Sequence, residues 1–142
     1  MFFGKHYNCI DAKGRMIMPA KFREQLGREC IMTIGADGCI EIYTIEEFQH
    51  KADELRSIPK SDVEARDYIR KIFSNGAMAE IDKQGRVMIP PELRDYAQVE
   101  KDLVTTGAMD KIEVWSRSVW DEREKNSKSF AETSQDMTKY GI

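Results

Sequence analysis

The spacing of apolar residues changes several times along the chain, and each change predicts an element. Between Phe3 and Ile10, Tyr7 and Cys9 alternate with His6 and Asn8, which predicts a strand. Arg15 to Met18 reads as a short strand, and Pro19 stops its ladder and suits a helix start. Ala20 to Leu26 is then a short helix ended by Gly27. Cys30–Ile34 and Cys39–Tyr43 are strands joined through the loop Gly35-Ala-Asp-Gly38. Thr44-x-x-Glu47 is a capping box opening a helix over residues 45–57, with Phe48, Ala52 and Leu55 on one face. Ser61-x-x-Glu64 is a second box. The helix over 62–74 behind it carries Ala65, Tyr68, Ile69, Ile72 and Phe73 as a stripe.

The order then starts again. A strand is expected at 77–81, a second at 86–89, a short helix at 91–97, and strands near 102–106 and 111–115. Ser116 takes the capping place of Thr44 before a helix bearing Val119, Trp120 and Arg123. Residues 126–142 are polar and form either one marginal helix or a frayed end.

This second pass is a sequence repeat. From Ile10/Ile81 to Arg23/Arg94, at an offset of 71, six of fourteen pairs are identical. Average usage gives roughly one chance match over that length. After one extra residue in copy two, Thr33-Ile-Gly-Ala36 matches Thr105-Thr-Gly-Ala108, and Ile-Glu-Ile-Tyr43 matches Ile-Glu-Val-Trp115. A repeat this strong governs the fold. The organisation it suggests is a first repeat with its helix at 1–57, a linking helix at 58–76, a second repeat with its helix at 77–125, and a tail at 126–142.

Composition narrows the function. No apolar run approaches the ~18 residues of a membrane span, and the start, Met1-Phe-Phe-Gly-Lys-His6, lacks the layout of a signal peptide. A cytoplasmic home without membrane partners is the expectation. Cys9, Cys30 and Cys39 form no C-x-x-C pair and are not matched between copies, so reduced strand residues are expected and no metal. His6 and His50 stand in unrelated contexts, and no G-x-S-x-G, P-loop or zinc spacing occurs. Neither an enzyme, nor a cofactor, nor a small-molecule substrate is expected. The net charge is −3, yet residues 1–28 hold six basic residues against two acids.

The paired turns Asp11-Ala-Lys-Gly14-Arg15 and Asp82-Lys-Gln-Gly85-Arg86, each followed by -x-x-x-Pro-x-x-x-Arg, resemble the MraZ family of bacterial transcription regulators. More broadly, each half is similar to an AbrB/SpoVT-type swapped-hairpin unit. The resemblance covers the chain to about residue 125. It implies an α+β fold, a swapped-hairpin AbrB-like β-barrel closed within one chain about a pseudo-two-fold axis. It also implies a homo-oligomeric ring and a nucleoid-associated regulator of the division and cell-wall gene cluster. Such a protein would bind double-stranded DNA carrying short direct repeats.

The candidate contacts sit on the turns. Lys13, Gly14 and Arg15 on the first, and Lys83, Gly85 and Arg86 on the second, combine glycines that admit close backbone approach with cations. An Arg there can pair with guanine O6 and N7, and a Lys can meet phosphate. Against this stands a structural role for Arg15 and Arg86, bridging to Asp11 and Asp82. The two aspartates are expected to form the turns. Lys5, Arg23 and Arg94 are candidates for phosphate or interface contact, with salt bridging or solvation as the plainer role for the two arginines. The rival function is an oligomeric protein-interaction scaffold using the helix pair within 45–74.

Overall fold

Each copy of the repeat lays down four strands and a short helix in the same order. In the computed structural model, which describes residues 1–142, the first copy forms β1 (Lys5–Cys9), β2 (Arg15–Ile17), α1 (Ala20–Leu26), β3 (Glu29–Ile34) and β4 (Ile40–Tyr43). Helices α2 (Ile45–Arg56) and α3 (Val63–Ser74) follow. The second copy forms β5 (Ala77–Glu80), β6 (Arg86–Met88), α4 (Pro91–Tyr96), β7 (Asp102–Gly107) and β8 (Ile112–Ser116), then α5 (Arg117–Asn126). The tail holds α6 (Phe130–Asp136) and a 3₁₀ turn at Met137–Tyr140.

The copies exchange strands. Six strands form one antiparallel sheet in the order β1-β7-β8-β4-β3-β5. Thus β1 of the first copy pairs with β7 of the second, and β5 of the second with β3 of the first. Swapping the copies reproduces the same order, so a pseudo-two-fold axis passes between β4 and β8. There the matched residues Glu41 and Glu113 pair in register. The remaining strands, β2 and β6, form a separate two-stranded ribbon in which matched Met16 and Val87 pair.

The strand ladder does not close into a full barrel. β1 and β5 are the two edges of the six-stranded sheet, and beyond Ile10↔Met16 no bridge joins sheet to ribbon. β2 and β6 are three residues long, and Pro19 and Pro90, which offer no N–H, follow within two residues. The ribbon therefore caps an open sheet.

The main core lies between sheet and ribbon. Seventeen buried residues contribute, among them Met16 and Val87 from the ribbon, Phe22 and Leu93 from α1 and α4, and Ile40, Ile42, Leu103 and Ile112 from the sheet. Burying each large side chain contributes about 1.5–3 kcal/mol. Smaller clusters cover the rest of the sheet: α5 places Val119 and Trp120 over Cys39, Val104 and Trp115, while Phe48 and Ile72 close over Tyr43. With neighbours on both faces, all four residues of β4 are buried, Glu41 included.

Two caps differ from expectation. Thr44 accepts from the Glu47 N–H at 3.0 Å as its motif predicts. On α3, however, Asp62 and not Ser61 is the N-cap, accepting from the Ala65 N–H at 3.0 Å. A carboxylate suits a helix N-terminus better than a hydroxyl, because it meets the positive end of the dipole. Ser116 is buried and shares its hydroxyl hydrogen bond with Ser118, so it gives α5 no side-chain cap. The tail does form a helix, yet every residue from 121 to 142 is exposed. No helix is long and apolar enough to cross a membrane.

Candidate nucleic-acid interface

Both Asp-x-x-Gly-Arg turns close in the same way. Asp11 Oδ1 accepts from the backbone N–H groups of Lys13 and Arg15, each at 2.9 Å. Asp82 Oδ1 accepts from those of Gln84 and Arg86, at 2.9 and 2.8 Å. The Arg15 N–H is the main reason the Asp11 carboxyl is held below the usual carboxylate value, with the Arg15 side chain and the Lys13 N–H adding to it. Arg86 and Gln84 do the same for Asp82. Gly14 and Gly85 each sit at φ +81°, where a side chain is strained. Each aspartate thus accepts twice from the backbone of its own turn.

The two arginines leave these turns onto one face of the ribbon. Arg15 pairs in register with Met88, and Arg86 with Ile17. The alternate residues Met16 and Val87 point into the core, so Arg15, Ile17, Arg86 and Met88 share the outward face. Arg15 and Arg86 are diagonal neighbours, a relation that spans about 7–8 Å. Each is held by its own turn: Arg15 Nε donates to Asp11 Oδ2 at 2.9 Å, and Arg86 Nε to Asp82 Oδ2 at 2.8 Å. Neither guanidinium makes any other side-chain hydrogen bond within the chain. The Nη1/Nη2 edges, with side chains 27% and 32% exposed, are left free. Bridging to aspartate through Nε thus leaves the Nη donors of each guanidinium unpaired.

Arg23 and Arg94 do not take the salt-bridging role. Neither forms a salt bridge, and both are half-buried. Each crosses to the other copy's turn. A Cβ on Gly14 would lie 2.9 Å from Arg94 Cζ, and one on Gly85 would lie 2.7 Å from Arg23 Cζ. Arg94 Nε also donates to the Ile89 carbonyl at 3.0 Å, whereas the buried Arg23 Nε has no partner. The backbone repeats the exchange: Met18 N–H donates to Gly85 O, and Ile89 N–H to Gly14 O, both at 2.9 Å. Each turn is therefore built from both copies.

Lys13 and Lys83 are exposed on the two turns. With Arg15, Arg86, Arg23 and Arg94 they set six cations against Asp11 and Asp82 at one end of a chain whose net charge is −3. Lys5 does not join them. It stands six extended steps from Asp11, roughly 20 Å, and its ammonium instead lies 5.6 Å from the centres of the Tyr7 and Trp120 rings. Ile17 and Met88, 58% and 45% exposed, share the outward ribbon face with the two arginines and were not singled out by the sequence. Alternation against Met16 and Val87 was the available signal.

One other cluster could hold a cation. Ligand atoms of Cys39, Glu41 and Glu113 lie within 4.8 Å of one another. The Lys111 ammonium already sits 2.6 Å from Glu41, and burial, with Glu113 and Glu41 adding, pushes the Cys39 thiol up to about 12. A protonated thiol beside an ammonium is a poor metal ligand.

Comparison with known proteins agrees with the repeat. The family model described as MraZ protein matches the chain twice, over residues 1–71 and 72–140. Relatives named Transcriptional regulator MraZ align over the whole chain. That of Acetivibrio thermocellus is 41% identical, with 100% of both chains covered. That of Lachnoclostridium phytofermentans is 42% identical over 100% of this chain and 99% of its own. That of Desulfitobacterium hafniense strain Y51 is 38% identical over 100% of both.

Proposed function

This chain belongs to the MraZ family, and we propose that it is a sequence-specific DNA-binding transcriptional regulator whose reading head is the β2–β6 ribbon. The observation that carries the reading is the pair of guanidinium edges of Arg15 and Arg86, fixed through Nε and free at Nη on one outward face. A two-stranded ribbon fits the major groove, and a bidentate Arg–guanine pair discriminates by about 1–3 kcal/mol. Lys13 and Lys83 flank this face and neutralise phosphate. Both arginines sit on one ribbon, so both turns engage one duplex together. Arg23 and Arg94 brace the turns from behind. Lys5 takes no part.

A few cations on an acidic protein bind DNA weakly, because affinity follows the number of phosphates neutralised. The assembly answers this. As a ring of like subunits on short direct repeats, the protein gains about 10²–10⁴ in avidity. The regulated genes in this reading are those of the division and cell-wall cluster, and the protein works in the cytoplasm at the nucleoid.

Fluorescence anisotropy with duplexes enriched from a random-sequence pool, as one repeat and in tandem, tests both parts. The wild type prefers the enriched sequence and gains on the tandem duplex. Arg15→Ala with Arg86→Ala removes the preference while leaving the fold and assembly intact. Unchanged preference in that variant sinks the reading head, and equal affinity for single and tandem duplexes sinks the array.

A second reading has its own observation. An open groove of about 580 Å³ runs between α2 and α3, lined by Leu55, Ile58, Ile69 and Phe73 with Arg56 and Arg66 at its rim. It supports a scaffold that holds a protein partner. Loss of regulation on Leu55→Asp, with Arg15→Glu and Arg86→Glu silent, would favour it.

A further inference from the structure

The outward ribbon face is half arginine and half apolar. Ile17 and Met88 are 58% and 45% exposed, and they are matched positions of the repeat. In register, Met88 stands opposite Arg15 and Ile17 opposite Arg86. The Ile17 carbonyl accepts from Asn8 Nδ2 at 3.2 Å, which pins the backbone at this point. So each guanidinium edge has an apolar side chain as its direct cross-strand neighbour, and the face alternates cation and hydrocarbon about the pseudo-two-fold axis. Two apolar side chains left in water beside charge gain nothing for the folded chain, since the core beneath is already filled by Met16 and Val87.

The major-groove edges of the bases carry one apolar feature, the C5 methyl of thymine. We infer that Ile17 and Met88 read thymine, each covering the methyl of a thymine that neighbours the guanine met by the adjacent arginine. The inference rests on the DNA-binding reading above and adds a second base type to what the ribbon recognises. A cytosine at that place would lose hydration of its N4 amino group against hydrocarbon and gain no partner, so the side chains also select against it. Hydrocarbon burial sets the size of the effect: one methyl removed from water is worth about a fourfold change in affinity.

The test uses the full-length protein and the duplexes enriched from a random pool, with each thymine replaced in turn by deoxyuridine, which lacks only the methyl. The wild type weakens about fourfold at two thymine positions. Ile17→Ala abolishes the thymine–deoxyuridine difference at one position and keeps it at the other, and Met88→Ala does the converse. Both residues are exposed, so a urea midpoint equal to the wild type accompanies each variant. Indifference of the wild type to deoxyuridine at every position overturns the inference. So does a methyl effect that survives in the double variant, or a double variant whose defect is a change of assembly mass in light scattering. If duplexes are enriched and Arg15→Ala weakens binding while deoxyuridine has no effect, this inference fails alone. If no duplex is enriched, the DNA-binding reading fails with it.

Discussion

Arg94 lies directly behind Gly14, so that a Cβ added to the glycine would stand 2.9 Å from Arg94 Cζ. Gly14 also adopts φ +81°. The residue is thus constrained by its own backbone and by a side chain from the other copy. Gly14→Ala costs about 1–3 kcal/mol from the positive φ, and the contact with Arg94 adds to it. Urea unfolding of Gly14→Ala, Arg94→Ala and the double variant separates the two. The double variant is more stable than the sum of the single losses predicts, by about 0.5–3 kcal/mol. Gly85 and Arg23 behave likewise.

Stability falls in acid through the turn aspartates. The carboxyls of Asp11 and Asp82 are held below 3.8 in the folded chain, first by the N–H groups of Arg15 and Arg86. A carboxyl lowered on folding contributes stability that is fully present above the unfolded value and is lost as pH falls through the lowered one. Asp11→Asn with Asp82→Asn keeps one oxygen in each turn for the backbone N–H groups, and removes the charge together with the oxygen that accepts from the Arg15 or Arg86 Nε. Thermal unfolding shows the double variant less stable than the wild type at neutral pH, and the gap narrows as pH drops below 3.8.

At the other end of the pseudo-axis, Glu41 is 8% exposed and takes hydrogen bonds from Lys111 at 2.6 Å and the Tyr43 hydroxyl at 2.7 Å. Its register partner is Glu113. Lys111→Met leaves the buried Glu41 beside Glu113 without its ammonium partner. The loss is about 3 kcal/mol, at the low end for a broken buried pair, since Lys111 itself is 30% exposed. Adding Glu41→Gln recovers most of it. A calorimetric unfolding series checks both steps.

The turns and the two-copy plan were readable because they are written locally: an Asp, a Gly and an Arg within five residues, twice, before a proline. The turn before it and Pro19 after it likewise bounded the first ribbon strand. The exchange of β1 and β5 between copies was implied by family resemblance and not by the residues themselves, since alternation states which face a strand buries and not which strand it meets. The contacts of Arg23 and Arg94 within the chain are hidden from the sequence for the same reason. Their partners are glycines of the other copy's turn, more than sixty residues away or more than seventy, and a helix surface arginine looks alike whether it meets water or a distant turn. Asp62 displaced Ser61 because two cap residues stood side by side and only helix register decides between them. The neighbours of Ile17 and Met88 are set by the ribbon register, which puts them beside Arg86 and Arg15.

The central claim is that Arg15 and Arg86 read bases and do more than attract phosphate. The most direct measurement is equilibrium binding of Arg15→Lys with Arg86→Lys to an enriched duplex and to a scrambled one, at matched salt. Lysine keeps the charge and loses the two-donor edge. The account predicts that scrambled binding is nearly unchanged while the preference for the enriched duplex falls by about tenfold or more, at about 1–3 kcal/mol for each lost guanine pair. A variant that keeps the full preference would contradict it, and would leave the two arginines as ties for Asp11 and Asp82 alone.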